Sequence, residues 1–555
     1  MKIKIQLSQD IFRDLRESGS YYIDKTEVIQ EYLEAHFDKA VMFTRPRRFG
    51  KTLTMTMFRD FLDVRQDSKR IFEGLEIMGY PDVVRDYMNQ YPVVFLSLKE
   101  VFGETYDRIQ KNFRIAISDL CMSFDELLES DKVSDEDKIQ CLKIRKQEAD
   151  EENGIAVLNL LARMLRAHYG KQVFIIIDEY DVPMARAYGT PAYEQVRNMI
   201  EQMLSYVCKT NRNVKGVILS GCLYTVKNST CTGVNNIVPY TVLSPSFASA
   251  IGFTDENMRK FLKDAGLTEL YETVEEWYDG YLFGREKMYC PWDVLSFVKS
   301  KLDGSYSEEM GPASYWVNTS ETSLIHGFLG KTATANERFE QLLIGNSIEC
   351  IVDEFVSYHG MHKSDESLWS ALVETGYLTK AVKEKVPLMP LKIPNKAIQV
   401  VFRQEAWNYL KDKVDNVFVR GLVNALWAGE IQKAESVPNQ ILETTLSFYH
   451  EYHEYSYHLI LDGLFTGVGY RVQSERETGY GRSDLIIPDP AHHRCMLLEL
   501  KHVAKEFEME TAIQEAESQI VRKKAESEMI YGGYPTRVQY GMAFCDKRTR
   551  IIRVH

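Results

Sequence analysis

The sequence predicts an α/β protein in which a parallel-sheet domain comes first and a smaller α/β domain comes last. Residues 1–260 alternate strand-like runs, for example 93–96 and 174–177, with helical stretches, and this alternation is typical of a parallel sheet. From 261 to 400 the pattern is mainly helical and rich in aromatic residues, which suits a lid or a winged-helix-like region. Residues 441–555 contain strand-like runs that carry acidic and basic side chains, and these indicate the second α/β domain.

The chain is too long for a single hydrophobic core. With 555 residues, the usual domain size predicts three or four units. A helical connector, residues 401–440, is predicted between the middle region and the last domain. The hydrophobic content of 45% and the charged content of 26% indicate a globular rather than a disordered protein.

The sequence indicates a cytoplasmic protein without a membrane partner. No apolar run approaches the roughly 18 residues that a transmembrane helix needs, and residues 1–4 start no secretory signal. The nine cysteines are an odd number and include no Cys-x-x-Cys pair. This predicts reduced thiols and argues against a zinc site.

A loop near the start of the chain has the features of a phosphate-binding loop. A strand-like run, residues 40–43, and a helical run, residues 53–62, flank Gly50, Lys51 and Thr52. Backbone N–H groups at the helix start would cradle phosphates, Lys51 would reach the β and γ oxygens of ATP, and Thr52 would hold Mg²⁺. Gly-Lys-Thr alone is weak evidence because it is common by chance.

A second segment supplies acidic partners for that loop. Residues 173–177 are a β-branched apolar run, and Asp178 and Glu179 follow it directly. A buried parallel strand that ends in this way brings its acids to the nucleotide edge of a sheet. Asp178 would bind Mg²⁺ through water, and Glu179 would polarise the attacking water. The alternative is an ordinary core strand with a polar end.

Near the end of the chain a short pattern predicts a second metal site. Along a strand, Glu499 and Lys501 project to one side while Leu498 and Leu500 point into a core. Asp484 begins a neighbouring apolar run and can bring a second carboxylate to the same edge. Two carboxylates suit Mg²⁺, and an adjacent lysine can orient a water toward a phosphate. The alternative is a surface strand pair with solvated charges.

The surroundings of this pattern resemble the PD-(D/E)XK nuclease superfamily. The blocks that carry the resemblance are residues 454–458, 474–484, 499–501 and 519–520. The resemblance implies a restriction-endonuclease-like α/β domain that cleaves DNA or RNA with Mg²⁺, for which Mn²⁺ can substitute.

The same resemblance implies a role for each residue that matches the pattern. Asp484 and Glu499 are implied as Mg²⁺ ligands, and Lys501 as the group that positions water or stabilises charge. Glu454 is implied as an accessory ligand and Gln519 as a supporting residue.

The first part of the chain resembles the AAA-ATPase-like family. The matching blocks are residues 22–26, 45–52, 177–181, 235–236, 277–281 and 393–396. In that family an arginine replaces the first glycine of the phosphate-binding loop, so Arg45 agrees with a P-loop AAA-like domain. The resemblance also implies that Ser220 touches the γ-phosphate.

One position departs from that family and leaves an open question. The family usually has arginine where this chain has Tyr224, so the source of a transition-state arginine is not apparent. Arg47 and Arg48 are alternatives for that role. Basic residues beside such a loop can also simply steer the nucleotide toward it.

The net charge of −13 argues against a basic surface over the whole chain, although nucleic-acid binding normally draws on one. Basic residues nevertheless concentrate in the last domain: Arg471, Arg476, Arg482, Arg494, Lys501, Arg522, Lys523, Lys524, Lys547 and Arg548.

Together these features predict an ATP-binding switch joined to a Mg²⁺-dependent phosphodiesterase, in a chain that can act as a homo-oligomer. One alternative is an ATPase whose last domain binds nucleic acid without cleaving it. Another is a nucleotide-sensing interaction protein in which both sites are chemically silent.

Overall fold

The computed structural model of the protein describes most of the chain. The described residues are 3–35, 38–225, 236–306, 311–315, 338–339, 341–343, 345–358, 360–361, 364–384, 386–411, 416–445, 454–470, 472–474, 484–522 and 534–554. The side chains of some residues inside helices and strands, Glu454 and Asp484 among them, lie outside this description.

The chain divides into two compact units. The first comprises Met1–Tyr306 and Glu349–Lys396, and the second comprises Ser307–Ile348 and Ala397–His555. The boundaries expected from the sequence near residues 260, 400 and 440 stay predictions.

Sixteen strands occur in the described residues. They are β1 Ala40–Thr44, β2 Val93–Ser97, β3 Val173–Asp178, β4 Val214–Gly221, β5 Val238–Tyr240, β6 Phe253–Thr254, β7 Tyr281–Phe283, β8 Glu286–Tyr289, β9 Ile348–Cys350, β10 Thr379–Lys380, β11 Met389–Lys392, β12 Gln473–Ser474, β13 Asp484–Asp489, β14 Arg494–His502, β15 Thr536–Cys545 and β16 Arg548–Val554.

The α-helices of the described residues surround these strands. They are α1 Phe12–Glu17, α2 Glu27–Gln30, α3 Lys51–Leu62, α4 Lys69–Phe72, α5 Pro81–Tyr87, α6 Tyr106–Met122, α7 Glu126–Glu129, α8 Asp135–Arg145, α9 Glu151–Ile155, α10 Val157–Tyr169, α11 Val182–Ala187, α12 Tyr193–Cys208, α13 Asp255–Ala265, α14 Tyr271–Tyr278, α15 Pro291–Asp303, α16 Asp365–Glu374, α17 Lys396–Lys411, α18 Asn416–Ala428, α19 Ile431–Thr445, α20 Glu454–Gly467 and α21 Met509–Arg522. None of these helices combines the length and the apolar character that crossing a membrane requires.

The first unit contains a five-stranded sheet in the order β2-β3-β4-β1-β5. Every neighbouring pair is parallel, which confirms the predicted parallel sheet. The side chains of β1 and β3 are all buried, as expected when helices cover both faces of a sheet. Thr44 and Gly221 are register partners at the ends of β1 and β4, and Asp178 ends β3. The carboxyl ends of these three strands therefore meet at one edge, where α/β proteins bind ligands.

The middle region takes most of its regular structure from helices α13 to α16. Two small sheets accompany them, in the strand orders β6-β8-β7 and β10-β11-β9. The pairs β6–β8, β7–β8 and β10–β11 are antiparallel. This arrangement agrees with the mixed α/β fold class that the sequence predicts.

The second unit contains a mixed five-stranded sheet in the order β12-β13-β14-β15-β16. Strands β14 and β15 are parallel, and the other pairs are antiparallel. Residues of α18, α19 and α20 pack on one face of this sheet, in a cluster that includes Leu498 and Leu500. Residues of α21 pack on the opposite face. The C-terminal α/β domain predicted from the sequence is confirmed.

Candidate functional site

The loop between β1 and α3 ends at a glycine with a left-handed backbone conformation. Gly50 precedes the first helical residue, Lys51, and has a left-handed conformation with a φ of 99°. A side chain at position 50 would be strained in this conformation, because only glycine adopts it readily. The predicted strand, loop and helix are therefore present in the predicted order.

The ammonium group of Lys51 is buried among polar groups of the same site. Its Nζ lies 3.3 Å from the carbonyl oxygens of Arg45 and Pro46 and 3.6 Å from Oε1 of Glu179. Its Nζ is also 3.6 Å from Sγ of Cys222. Burial lowers the pKa of Lys51, but Cys222 and the nearby carboxylates outweigh burial and raise that pKa above its ordinary value. The side chain of Lys51 is therefore protonated, and its ammonium group contacts the loop.

Two hydroxyl groups hold the carboxylate at the end of β3. Oγ1 of Thr52 donates to Oδ2 of Asp178 at 2.8 Å, and Oγ of Ser220 donates to Oδ1 at 2.5 Å. Burial raises the pKa of Asp178, whereas the two hydroxyl hydrogen bonds lower it. The side chains of Thr52 and Asp178 offer a hydroxyl oxygen and carboxylate oxygens, and Mg²⁺ prefers oxygen ligands of this kind. Thr52 and Asp178 are therefore the residues that would hold this ion.

Glu179 adopts a strained backbone beside these residues. Its φ is 54°, in the left-handed region that a non-glycine residue rarely adopts. Its N–H donates to Oγ of Ser220 at 3.4 Å. Its side chain retains 19% exposure, so water can reach the carboxylate. Strain of this kind is concentrated at functional sites, and it supports a functional role for Glu179.

Arg45 and Arg48, two of the three arginines in the loop, point in different directions. The guanidinium of Arg45 is fully buried and donates to the carbonyl oxygens of Tyr240 at 3.0 Å and Phe247 at 2.6 Å. Burial lowers the pKa of Arg45 to about 10. Arg48 is exposed, and its guanidinium carbon lies 4.2 Å from the ring centroid of Trp292. Arg45 thus supports the loop from behind, and nucleotide contacts by either arginine stay predictions.

Sequence reasoning missed a tyrosine that completes the site. The hydroxyl of Tyr358 donates to Oδ2 of Asp181 at 3.1 Å, although 177 residues separate the two. No local pattern around position 358 signals this contact, because only the tertiary fold brings the two segments together. Tyr224 is buried and packs against Phe355 with ring centroids 5.4 Å apart.

In the second unit, strand register places two predicted metal ligands opposite each other. Asp484 on β13 is the register partner of Glu499 on β14 in an antiparallel pair. Directly opposed residues of such a pair lie on the same face of the sheet. The predicted neighbouring strands are confirmed. The predicted contact between the two side chains involves the side chain of Asp484, which lies outside the described residues.

The described half of this site is buried rather than solvated. Glu499 is 0% exposed, and its Oε1 lies 3.4 Å from Nζ of Lys501. Lys501 retains 18% side-chain exposure. The same-face arrangement of these two residues is therefore confirmed, and the alternative of a solvated charge pair does not describe Glu499. Leu498 and Leu500 are buried in the core on the opposite face, as predicted.

A glycine that sequence reasoning missed brings α21 close to this site. Gly541 on β15 is the register partner of Glu499. A Cβ at position 541 would lie only 3.0 Å from Cβ of Ala516 on α21. Gln519 is a half-buried residue of the same helix. Its predicted orientation toward Glu499 stays a prediction.

The first turn of α20 lies near the end of β14 at which Lys501 is found. The ring of Tyr457 is stacked on His502, with centroids 5.7 Å apart. Glu454 is the first residue of this helix, three positions before Tyr457, and its side chain lies outside the description. Its accessory role therefore stays a prediction.

Among the described side chains, no group of three or more His, Cys, Asp or Glu residues could hold a metal ion. The side chain of Asp484 is not among them. Of the ten basic residues that concentrate in the last domain, five lie outside the described parts of the chain: Arg471, Arg476, Arg482, Lys523 and Lys524. Arg494 is paired with Asp489 at 2.7 Å, and Arg548 is paired with Glu506.

Comparison with known proteins assigns a family to each end of the chain. Residues 7–231 match a family model described as a predicted AAA-ATPase, of the AAA-ATPase-like family. Residues 452–554 match the model of the PD-(D/E)XK nuclease superfamily. A relative from Azotobacter chroococcum mcd 1, described as an uncharacterized protein in the vnfD 5′ region, is 22% identical over 504 residues, which cover 87% of each chain. The chain therefore contains an AAA-ATPase-like domain in residues 7–231 and a PD-(D/E)XK nuclease superfamily domain in residues 452–554.

Proposed function

We propose that the protein binds and hydrolyses ATP, and that its nucleotide state controls cleavage of nucleic-acid phosphodiesters by its last domain. The observation that carries the ATPase proposal is the meeting of Lys51, Thr52, Asp178 and Ser220 at one edge of the parallel sheet. The paired positions of Asp484 and Glu499 support the nuclease proposal. The two family matches agree with both activities.

In the proposed ATP reaction, Lys51 exchanges its present partners for phosphate oxygens. Its ion pair with Glu179 at 3.6 Å would then open, because a polyphosphate offers more negative charge than one carboxylate. Glu179 would be left to polarise the attacking water. Thr52 and Asp178 would hold Mg²⁺, which when bound neutralises charge on the phosphates. Ser220 keeps Asp178 in place through its hydrogen bond.

In the proposed nuclease reaction, Asp484 and Glu499 would hold the divalent metal. Lys501 would orient the attacking water and stabilise the charge that develops on the phosphate. Its ammonium already lies 3.4 Å from Glu499 and remains partly exposed, so solvent can reach it. Glu454 and Gln519 would support this arrangement.

One incubation tests the nuclease proposal and its alternatives. The full-length protein is mixed with single- and double-stranded DNA and RNA, with and without ATP, in Mg²⁺ or Mn²⁺. We expect cleavage that depends on the metal and changes with ATP. Binding without cleavage would favour an ATPase with a nucleic-acid-binding domain. Intact substrates, together with unchanged metal binding by Asp484→Ala, would favour a silent sensing module.

We also propose a cytoplasmic location and a homo-oligomeric state. The eight cysteines in the described residues are all unpaired by disulfides and buried, which fits a reducing compartment. Tyr224 leaves the transition-state arginine to Arg47, Arg48 or a second copy of the chain. Light scattering of the full chain with and without ATP would measure whether nucleotide changes its mass.

A further inference from the structure

The segment Glu349–Lys396 reaches the ATP site from a distant part of the chain. Oγ1 of Thr44, the last residue of β1, donates to Oε2 of Glu374 at 3.3 Å. Beyond the end of β4, the ring of Tyr224 packs edge-on against Phe355. The segment therefore contacts two of the strand ends that form the site.

A third contact from this segment involves an acid beside the strained Glu179. Oδ2 of Asp181 accepts a hydrogen bond from the hydroxyl of Tyr358 at 3.1 Å. The same oxygen accepts the backbone N–H groups of Cys222 at 2.9 Å and Leu223 at 3.0 Å. Asp181 is only 1% exposed, so its Oδ2 depends on these three donors rather than on water for hydrogen bonds. Tyr358 is the only side chain among the three.

The hydrogen bonds continue from Asp181 to the phosphate-binding lysine. Sγ of Cys222, whose N–H is held by Asp181, lies 3.6 Å from Nζ of Lys51. Lys51 in turn lies 3.6 Å from Oε1 of Glu179. A continuous set of contacts thus connects Tyr358 with the two residues assigned to phosphate binding and water activation.

Close packing restricts Asp181 to this position. A Cβ at Gly221 would lie 2.7 Å from Oδ1 of Asp181 and 2.6 Å from the ring of Tyr180. Glycine at the end of β4 therefore leaves the space that the carboxylate occupies. Because neighbouring groups crowd the carboxylate, loss of one donor cannot be offset by a large movement.

We infer that Tyr358 is a positioning residue for ATP hydrolysis, which it supports by fixing Asp181 and, through Asp181, the backbone beside Lys51 and Glu179. This inference rests on the proposed ATPase function. It assigns to the segment Glu349–Lys396 a part in the reaction that neither family match covers, since the first match ends at residue 231.

The test is steady-state ATP hydrolysis by full-length Tyr358→Phe. This variant keeps the ring and removes one hydrogen bond to a buried charge. We expect kcat to fall about tenfold, because a hydrogen bond to a charged group contributes about that factor. The KM for ATP should stay within about twofold, because Lys51 and the loop backbone still bind the phosphates. Thermal unfolding with and without ATP checks that the variant folds and binds nucleotide.

The matched control is Tyr281→Phe. Tyr281 is also buried, and within the described residues its hydroxyl has no hydrogen-bond partner. Tyr281→Phe should hydrolyse ATP with the wild-type kcat. Equal losses in Tyr358→Phe and Tyr281→Phe would overturn the inference, because a general packing effect would then explain both.

A double-mutant cycle separates positioning from unrelated damage. In an Asp181→Asn background, adding Tyr358→Phe should change kcat by less than about twofold, because the partner charge is already gone. Full additivity would overturn the inference. If the wild-type protein hydrolyses no ATP, the proposed function fails together with this inference. If the wild type is active and Tyr358→Phe retains its kcat, only this inference fails.

Discussion

Thr52 donates a 2.8 Å hydrogen bond to Asp178, a residue 126 positions later in the chain. Thr52 is the second residue of α3, the helix that follows the loop, and Asp178 is the last residue of β3. They meet because β4 lies between β1 and β3 in a parallel sheet, so all three strands end at the same edge. The protein's own hydrogen bonds thus assemble the two proposed Mg²⁺ ligands.

Lys51→Ala should abolish ATP binding or weaken it at least about a hundredfold. The substitution removes a buried ammonium from the place where the ligand carries its highest charge. Calorimetric titration of the full chain with ATP and Mg²⁺ measures the effect. Lys263→Ala, which changes an exposed lysine on α13, should bind ATP as the wild type does. Unchanged affinity in Lys51→Ala would remove the ATP site from this position.

Glu179→Gln should keep ATP bound while slowing its hydrolysis about a hundredfold or more. The amide cannot polarise water, but Asp178 and Thr52 remain. Because the ion pair with Lys51 is also lost, ATP should bind at least as tightly as in the wild type. Phosphate release and calorimetry measure the two effects separately. A wild-type rate would move the catalytic role to another residue, with Asp181 the next candidate.

Asp484→Ala and Lys501→Ala should both abolish metal-dependent cleavage, but only the first should weaken metal binding. Asp484 is proposed as an anionic ligand of the metal, whereas Lys501 is proposed to orient water and stabilise charge on the phosphate. Losing such electrostatic stabilisation slows a reaction about a hundredfold or more. Nuclease assays and Mn²⁺ titration compare the two variants. Lys505→Ala, an exposed lysine beyond β14, is the matched control and should cleave normally. Equal metal binding by Asp484→Ala and the wild type would contradict the assignment.

Arg45→Lys should destabilise the folded protein by about 2 kcal/mol. A lysine cannot reproduce the forked hydrogen bonds to the carbonyl oxygens of Tyr240 and Phe247. Arg48→Lys, on the exposed side of the same loop, should change stability by less than about 0.5 kcal/mol. Urea unfolding followed by circular dichroism compares the variants. Equal effects would show that Arg45 does not support the loop.

The stability of the first unit should depend on pH through Glu374. Burial, partly opposed by Arg45, raises the pKa of Glu374 to about 8. In the unfolded chain a glutamate ionises near its ordinary pKa of about 4.3. Between these two pKa values, Glu374 keeps a proton in the folded protein that it has released in the unfolded chain. The free energy of unfolding that this proton contributes is therefore lost as pH rises toward 8.

Glu374→Gln removes that titration and isolates its effect. The melting temperature of the variant should change less than that of the wild type between pH 5 and 8. The melting temperature of the variant relative to the wild type should therefore increase as pH rises. Differential scanning calorimetry of both proteins across this range makes the comparison. Parallel curves would contradict the assignment of the titration to Glu374.

Much of each site could be predicted because the relevant residues are neighbours in the chain. Gly50, Lys51 and Thr52 occupy consecutive positions between a strand and a helix, and local backbone geometry determines what such a turn can bind. Glu499 and Lys501 lie on one face because side chains alternate along any strand. These relationships require no knowledge of what packs around them.

Other features could not be predicted, since they depend on which distant segments meet. The burial of Arg45 behind its loop depends on carbonyl groups about 200 residues away. Gly541 matters only because α21 crosses β15 next to Glu499. The contact between Tyr358 and Asp181 forms only when the segment Glu349–Lys396 folds back onto the first unit.

The amino-acid sequence by itself determined the two α/β domains, the order of their local patterns and the residue types able to bind phosphate and metal. Propensity, side-chain periodicity and turn chemistry act over a few residues, so they can be read along the chain. Only the tertiary structure decided the strand order that joins Thr52 to Asp178, the register that sets Asp484 opposite Glu499, and the return of Tyr358 to the proposed ATP site. Strand order and register follow from the packing of the whole core, in which many distant side chains must fit at once.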